Sequence, residues 1–219
     1  MINWQKINTV LFDMDGTLLD LHFDNYFWRE HLPHRYAEEK GLTKPEVQQQ
    51  LEHLFRAHEG TLNWYCVDFW SKQLGVDIGL LKQEVRHLIC WRPFAPEFLH
   101  ALQAQGKRML LVTNAHPIAL SLKLEEINFS HYFEHIISSH QYQAPKENPL
   151  FWERLNAEHQ IDFAGSVLID DSLSVLRAAK AAGIGNTLCV AQPDSREAAR
   201  LIQEFPVINC YSDLIPHVK

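Results

Sequence analysis

Five short apolar runs constrain this chain more than any other feature. Ile7–Phe12 (INTVLF), Met109–Thr113 (MLLVT), His135–Ser138 (HIIS), Ser166–Asp170 (SVLID) and Thr187–Val190 (TLCV) are rich in Val, Ile and Leu and nearly continuous in apolar character. A strand with one wet face alternates apolar and polar residues, whereas a continuous apolar run must be covered on both faces. Helical patterns separate most of these runs: Pro96–Gln105, Pro117–Asn128, Pro149–Glu158 and Ser174–Ala182, two of them followed closely by the glycines Gly106 and Gly183. Asp194 and Glu197 have the spacing of a capping box and predict a final helix. Strand alternating with helix predicts an α/β fold, a doubly wound, Rossmann-like parallel sheet.

One stretch breaks the rhythm. Residues 21–92 hold no convincing strand and read as four helices, around Phe23–Tyr36, Thr43–His58, Leu62–Leu74 and Asp77–Ile89. Thr43 and Glu46 form a capping box with Pro45 in the first turn. The predicted organisation is therefore a core of residues 1–20 and 93–219, interrupted after its first strand by an all-helical insert, 21–92. The insert carries four of the six tryptophans, Trp28, Trp64, Trp70 and Trp91.

Bulk properties exclude several classes. A net charge of -7 disfavours binding to a nucleic acid polymer, which needs clustered Lys and Arg. No apolar run approaches the roughly 20 residues that span a bilayer, and MINWQKINTV is too polar for a signal core. The four cysteines form no CxxC pair and read as reduced thiols. The expectation is a cytoplasmic protein, monomer or dimer. The thirteen histidines, which include the close pairs His31/His34 and His53/His58, have no Cys or carboxylate beside them in sequence at zinc-site spacing and read as surface residues.

Ligands of parallel α/β sheets bind beyond the carboxyl ends of the strands. The residues at the end of each run are therefore informative. The first run ends in Asp13-Met14-Asp15-Gly16-Thr17, the second in Thr113-Asn114, the third leads to Lys146, and the fourth ends in Asp170-Asp171. Residues two apart on extended backbone point the same way, so Asp13 and Asp15 face one crevice, one suited to nucleophilic attack and the other to proton transfer. Asp170 and Asp171 add oxygen ligands for a hard cation such as Mg2+. Lys146 offers a point charge for phosphate, and Thr113 and Asn114 lie just before a helix, where hydroxyl, amide and N–H groups hold phosphate oxygens. Gly16 permits the sharp departure from the strand.

DMDGT, then TN, then Lys, then DD, in that order after apolar strands, resembles the haloacid dehalogenase superfamily, and the insert after the first motif is similar to the helical cap of its first subclass. The resemblance covers essentially the whole chain. It implies that Asp13 forms an aspartyl-phosphate, that Asp15 protonates the leaving group and then activates water, and that Thr113 and Lys146 bind phosphate. It also implies Mg2+ on Asp13, the Asp15 main-chain carbonyl and Asp171, with Asp170 direct or through water. Relatives that cleave carbon–halogen bonds lack an acid at the position of Asp15, which leaves phosphomonoester hydrolysis or sugar-phosphate mutation. LDLHFDNYFW, TLNWYCVDFW, TNAHP and APKENPLFW further resemble the bacterial GMP/IMP nucleotidases of that superfamily, implying a purine nucleoside monophosphate as substrate.

The insert supports two readings. Asn25, Trp28, Asn63 and Trp64 could line a purine site by stacking and amide hydrogen bonds. Alternatively Phe23, Phe27, Trp28, Phe69 and Trp70 form the core of the insert. His116 reads either as a substrate contact or as a loop residue, and Cys66 as a small core residue. Phosphatases of small acid or sugar phosphates, a phosphoglucomutase-like transferase and an inactive binding protein are the competing functions.

Overall fold

A computed structural model describes residues 2–218. Its centre is β1 (Thr9–Phe12), whose residues are all buried. β1 pairs in parallel with β2 (Arg108–Thr113) on one side and β4 (Ser166–Asp170) on the other. β3 (His135–Ser138), β5 (Asn186–Val190) and β6 (Val207–Ile208) extend the sheet to the order β3-β2-β1-β4-β5-β6, parallel throughout. The alternation of side chains along each strand divides the sheet between two cores. Val10, Phe12, Leu111 and Ile169 join one cluster, and Leu11, Leu110, Val112 and Leu168 join the other. This is why the strands read as continuous apolar runs.

Helices cover both faces. α6 (Ala95–Ala104) and α10 (Ile215–Val218) bury residues such as Phe98, Leu102 and Val218 on the first face. α8 (Pro149–His159) and α9 (Leu173–Ala181) bury Phe151, Trp152, Leu155, Leu176 and Ala179 on the second. α7 (Pro117–Glu126) follows β2. The predicted bounds of α6, α7, α8 and α9 match to within one or two residues. Among the described residues no helix is long and apolar enough to cross a membrane.

Between β1 and α6 the chain forms helices, turns and two isolated bridges, Asp15 with Leu19 and Leu19 with Trp91, and no strand. α1 (His22–Tyr26), a π-helical turn (Phe27–His31) and α2 (Leu32–Lys40) run on in right-handed helical backbone and stop at Gly41, in the left-handed region at φ 63°. α3 (Lys44–His58) begins at the expected box, with the Thr43 N–H donating to Glu46 at 2.8 Å. α4 (Val67–Leu74) and α5 (Ile78–Glu84) complete the insert. Its two connections to the sheet are paired: Asp20 N–H donates to the Cys90 carbonyl at 2.9 Å, and Arg92 N–H to the Leu18 carbonyl at 2.8 Å.

Four expectations need correction. The helix predicted over Leu62–Leu74 is broken at Cys66, which is extended (φ -87°, ψ 110°) and caps α4; Leu62–Tyr65 is a separate 3-10 turn. The helix predicted over Asp77–Ile89 ends at Glu84 and is followed by a 3-10 turn, Arg86–Leu88. Asp194 starts no helix, because its carboxylate is taken by the Arg196 N–H and the Asn25 amide, and the chain runs on without helix to β6. β6 itself is a sixth strand, too short at two residues to show a period.

Candidate active site

The carboxyl ends of β1 and β4 meet where the strand order reverses, and the predicted residues converge there. The β1 ladder continues to Asp13, whose N–H donates to the Ile169 carbonyl at 3.0 Å. The chain then turns sharply, with the Met14 carbonyl accepting the N–H groups of Leu18 and Leu19 at 2.9 Å each. Gly16 sits at φ 79°, and a Cβ there would lie 2.8 Å from Pro193 Cβ and 3.0 Å from Asp171 Cγ. Only glycine suits both the backbone and the space. Asp13 and Asp15 both line a cavity of about 540 Å³ between the sheet and the insert.

Lys146 is the fixed cation of this site. It is 1% exposed, and its ammonium donates to Asp13 Oδ1 at 2.6 Å and Asp170 Oδ2 at 2.7 Å. The main chain around it is held from two sides: Asn114 Oδ1 accepts its N–H, and the Trp152 indole N–H donates to its carbonyl. Burial disfavours the ammonium, but Asp13 and Asp170 outweigh that and hold it above the ordinary lysine range. Thr113 Oγ1 accepts the Ala115 N–H at 3.0 Å, which leaves its hydroxyl hydrogen free for the cavity.

The acids outnumber this cation. Burial pushes Asp13 up to about 6; Lys146 pulls it back, and Asp170 adds to the rise. Burial also raises Asp170, and burial with the Asp170 and Asp13 charges raises Asp171 well above the usual carboxylate range. Carboxylate oxygens of Asp13, Asp170 and Asp171 lie within 4.8 Å of one another. An all-oxygen donor set with uncompensated negative charge fits a hard divalent cation such as Mg2+.

Sequence reasoning missed a second buried charge network. Lys123 donates to Asp15 Oδ1 and Asp24 Oδ2, both at 2.6 Å, and Lys82 donates to Asp24 Oδ1 at 2.8 Å. Both lysines are 2% exposed. Burial pushes Asp15 up to about 6 against the pull of Lys123, with Asp24 and Asp13 adding to the rise. Burial would raise Asp24 too, but Lys123 and Lys82 overcome it and hold that carboxyl well below the usual range. The available signal was register. Lys123 stands four residues after Ala119 and Lys82 four after Ile78, on the buried stripes of α7 and α5.

The insert residues divide. Trp28 and Trp64 line the cavity and also pack edge-to-face on Phe55, so the pocket and the aromatic core share one wall. Trp70, Phe23 and Phe27 are buried. Asn25 lines the cavity with its amide donated to Asp194 at 2.8 Å. Asn63 is exposed and lies outside the cavity, turned away by the 3-10 turn that replaces the expected helix. Tyr65 from that turn lines the cavity instead and donates to Glu147 at 2.7 Å, while the Asn114 amide donates to the other Glu147 oxygen at 3.0 Å. Asp20 caps the turn to α1 and accepts the Ser195 N–H. His116 lines the cavity, and its ring meets that of His140 edge-on at 4.8 Å, so these two histidines are not simple surface residues.

Comparison with known proteins points the same way. The family described as haloacid dehalogenase-like hydrolase matches residues 7–183. GMP/IMP nucleotidase YrfG of Escherichia coli (strain K12) is 40% identical over 215 residues, 98% of this chain and 97% of that protein. A phosphoglycolate phosphatase of Neisseria gonorrhoeae (strain ATCC 700825 / FA 1090) is 26% identical over 97% of this chain and 95% of its own. The crystal structure of a HAD phosphatase from Thermococcus onnurineus superposes with a TM-score of 0.78 at 20% identity, covering 95% of this chain and 96% of that one.

Proposed function

Because the chain belongs to the haloacid dehalogenase-like hydrolases and is a phosphomonoesterase, we propose that it dephosphorylates purine nucleoside 5'-monophosphates through Asp13. The observation that carries this reading is the cavity itself. Asp13, Asp15, Thr113 and Lys146 of the sheet domain and Trp28 and Trp64 of the insert line the same space, in a volume suited to a nucleotide. The 40% identity to a GMP/IMP nucleotidase supports the same substrate class.

In the first half-reaction an Asp13 oxygen attacks phosphorus, the bond from phosphorus to the 5'-oxygen breaks, and protonated Asp15 gives its proton to that oxygen. In the second, Asp15 takes a proton from water as the water oxygen attacks phosphorus, releasing phosphate and restoring the Asp13 carboxylate. An Asp15 carboxyl near 6 suits both tasks at neutral pH. Lys146 stabilises charge on the transferring group, and the Thr113 hydroxyl donates to one of its oxygens. Magnesium held by Asp13, Asp170, Asp171 and the Asp15 carbonyl would supply the positive charge that lets a carboxylate approach a phosphate dianion. The insert, 21–92, acts as a cap that excludes water and selects the leaving group, with Trp28 and Trp64 stacking on the base and Asn25 at the cavity wall.

A panel of esters with Mg2+ tests this. GMP and IMP should exceed phosphoglycolate and glucose 1-phosphate by at least ~10-fold in kcat/KM. Preference for a non-nucleotide ester, or isomerisation without phosphate release, rejects it.

A further inference from the structure

Beside the cavity, three ligand-type side chains meet that phosphoryl transfer does not use. Cys66 belongs to the insert, His116 to the turn after β2 and His140 to the 3-10 turn Ser139–Tyr142 that comes after β3. One ligand atom from each lies within 4.8 Å of the other two. Far apart in sequence, they are brought together by the closed arrangement of insert on sheet.

Three observations mark this as more than a chance meeting. His140 Nε2 is buried with no hydrogen-bond partner, an unfavourable arrangement unless something satisfies it. The Cys66 sulfur is fixed rather than free, since Cys66 caps α4 and accepts the Phe69 N–H at 3.4 Å. A carboxylate stands next to the group: Asp68 Oδ2 is 3.6 Å from His116 Nε2, on a side chain exposed enough to swing. Burial also keeps both imidazoles below their ordinary range, in the neutral form that ligates.

We propose that Cys66, His116 and His140, completed by Asp68, form a site for a borderline divalent transition ion such as zinc, which ties the helical insert to the sheet domain. Sulfur with two imidazoles selects zinc-like ions over magnesium, and the aspartate cluster does the reverse. Tetrahedral zinc with bond lengths near 2.0–2.3 Å sets sulfur and imidazole ligand atoms about 3.3–3.6 Å apart, so a loaded site holds the insert against the sheet at the seam. Binding releases the thiol proton to solvent, and each neutral imidazole ligates through the ring nitrogen that carries no hydrogen, with no change of oxidation state. A cap held this way exchanges substrate and product more slowly.

Cobalt(II) reads the site directly. In excess Mg2+, one equivalent of Co2+ should give a sulfur-to-cobalt charge-transfer band in the near ultraviolet and strong tetrahedral visible bands, both displaced by zinc. Cys66→Ser should lose the charge-transfer band while remaining folded, because serine also caps α4; Asp13→Asn should keep it. Absence of the band, or its survival in Cys66→Ser, overturns the site. Zinc should lower kcat severalfold in the unaltered enzyme and far less in Cys66→Ser, and equal inhibition of the two, or none in either, overturns the tie.

Discussion

Asp15 shares its cation with a second acid, and this arrangement fixes its chemistry. Lys123 bridges Asp15 and Asp24, and Lys82 holds Asp24 from the far side. Lys123 lowers the Asp15 carboxyl, so removing its charge in Lys123→Met must raise that carboxyl above about 6. In the proposed mechanism Asp15 is protonated when the leaving group departs. The alkaline fall of kcat should therefore move to higher pH, with turnover down ~10–100-fold from lost positioning. A pH–rate profile checks this; an unmoved alkaline limb contradicts it. Gly16→Ala meets a positive φ and contacts at 2.8 and 3.0 Å, against Pro193 and Asp171. It should cost about 1–3 kcal/mol in denaturant unfolding and disturb the Asp171 carboxylate.

At the scale of elements, legibility followed how local the cause was. β1 and β4 could be read because burial on both faces leaves a continuous apolar run, and the chemistry at their ends could be read because a parallel sheet gathers it in one place. β6 could not, since Val207–Ile208 is a strand only through its pairing with β5. The Asp194-x-x-Glu197 spacing failed as a helix start because Asn25, 169 residues away in sequence, takes the Asp194 carboxylate. The break at Cys66 was likewise hidden, and it decides which residues of the insert reach the cavity: Tyr65 enters and Asn63 leaves. Tyr65→Phe removes the bond to Glu147 across the seam while keeping the ring. Steady-state kinetics should show KM raised severalfold with kcat nearly unchanged, and unfolding should shift by ~1 kcal/mol. A large loss of kcat with KM unchanged would give Tyr65 a part in the chemical step instead.

At the scale of the whole molecule, residues 21–92 join the sheet through two paired connections, through one apolar cluster that takes in Phe23, Phe27 and Trp70 together with Phe12, Phe98 and Leu111, and through polar contacts. Arg29–Glu197 and Arg86–Glu126 are exposed ion pairs, each worth about 0–1 kcal/mol. Tyr65–Glu147 and Asn25–Asp194 are partly buried hydrogen bonds. In the proposed reaction the chemistry is carried by sheet residues adjacent in motif, and the substrate is selected by cavity-lining residues of the insert that are adjacent only in space. The proposed function rests on a covalent phosphoryl group on Asp13, formed from a nucleotide bound in the cavity. Enzyme quenched in acid during GMP turnover and digested should yield the peptide containing Asp13 with one added phosphoryl group, absent from Asp13→Asn, which should also release no phosphate. GMP turnover with no phosphoryl group on Asp13, or undiminished turnover by Asp13→Asn, would contradict it.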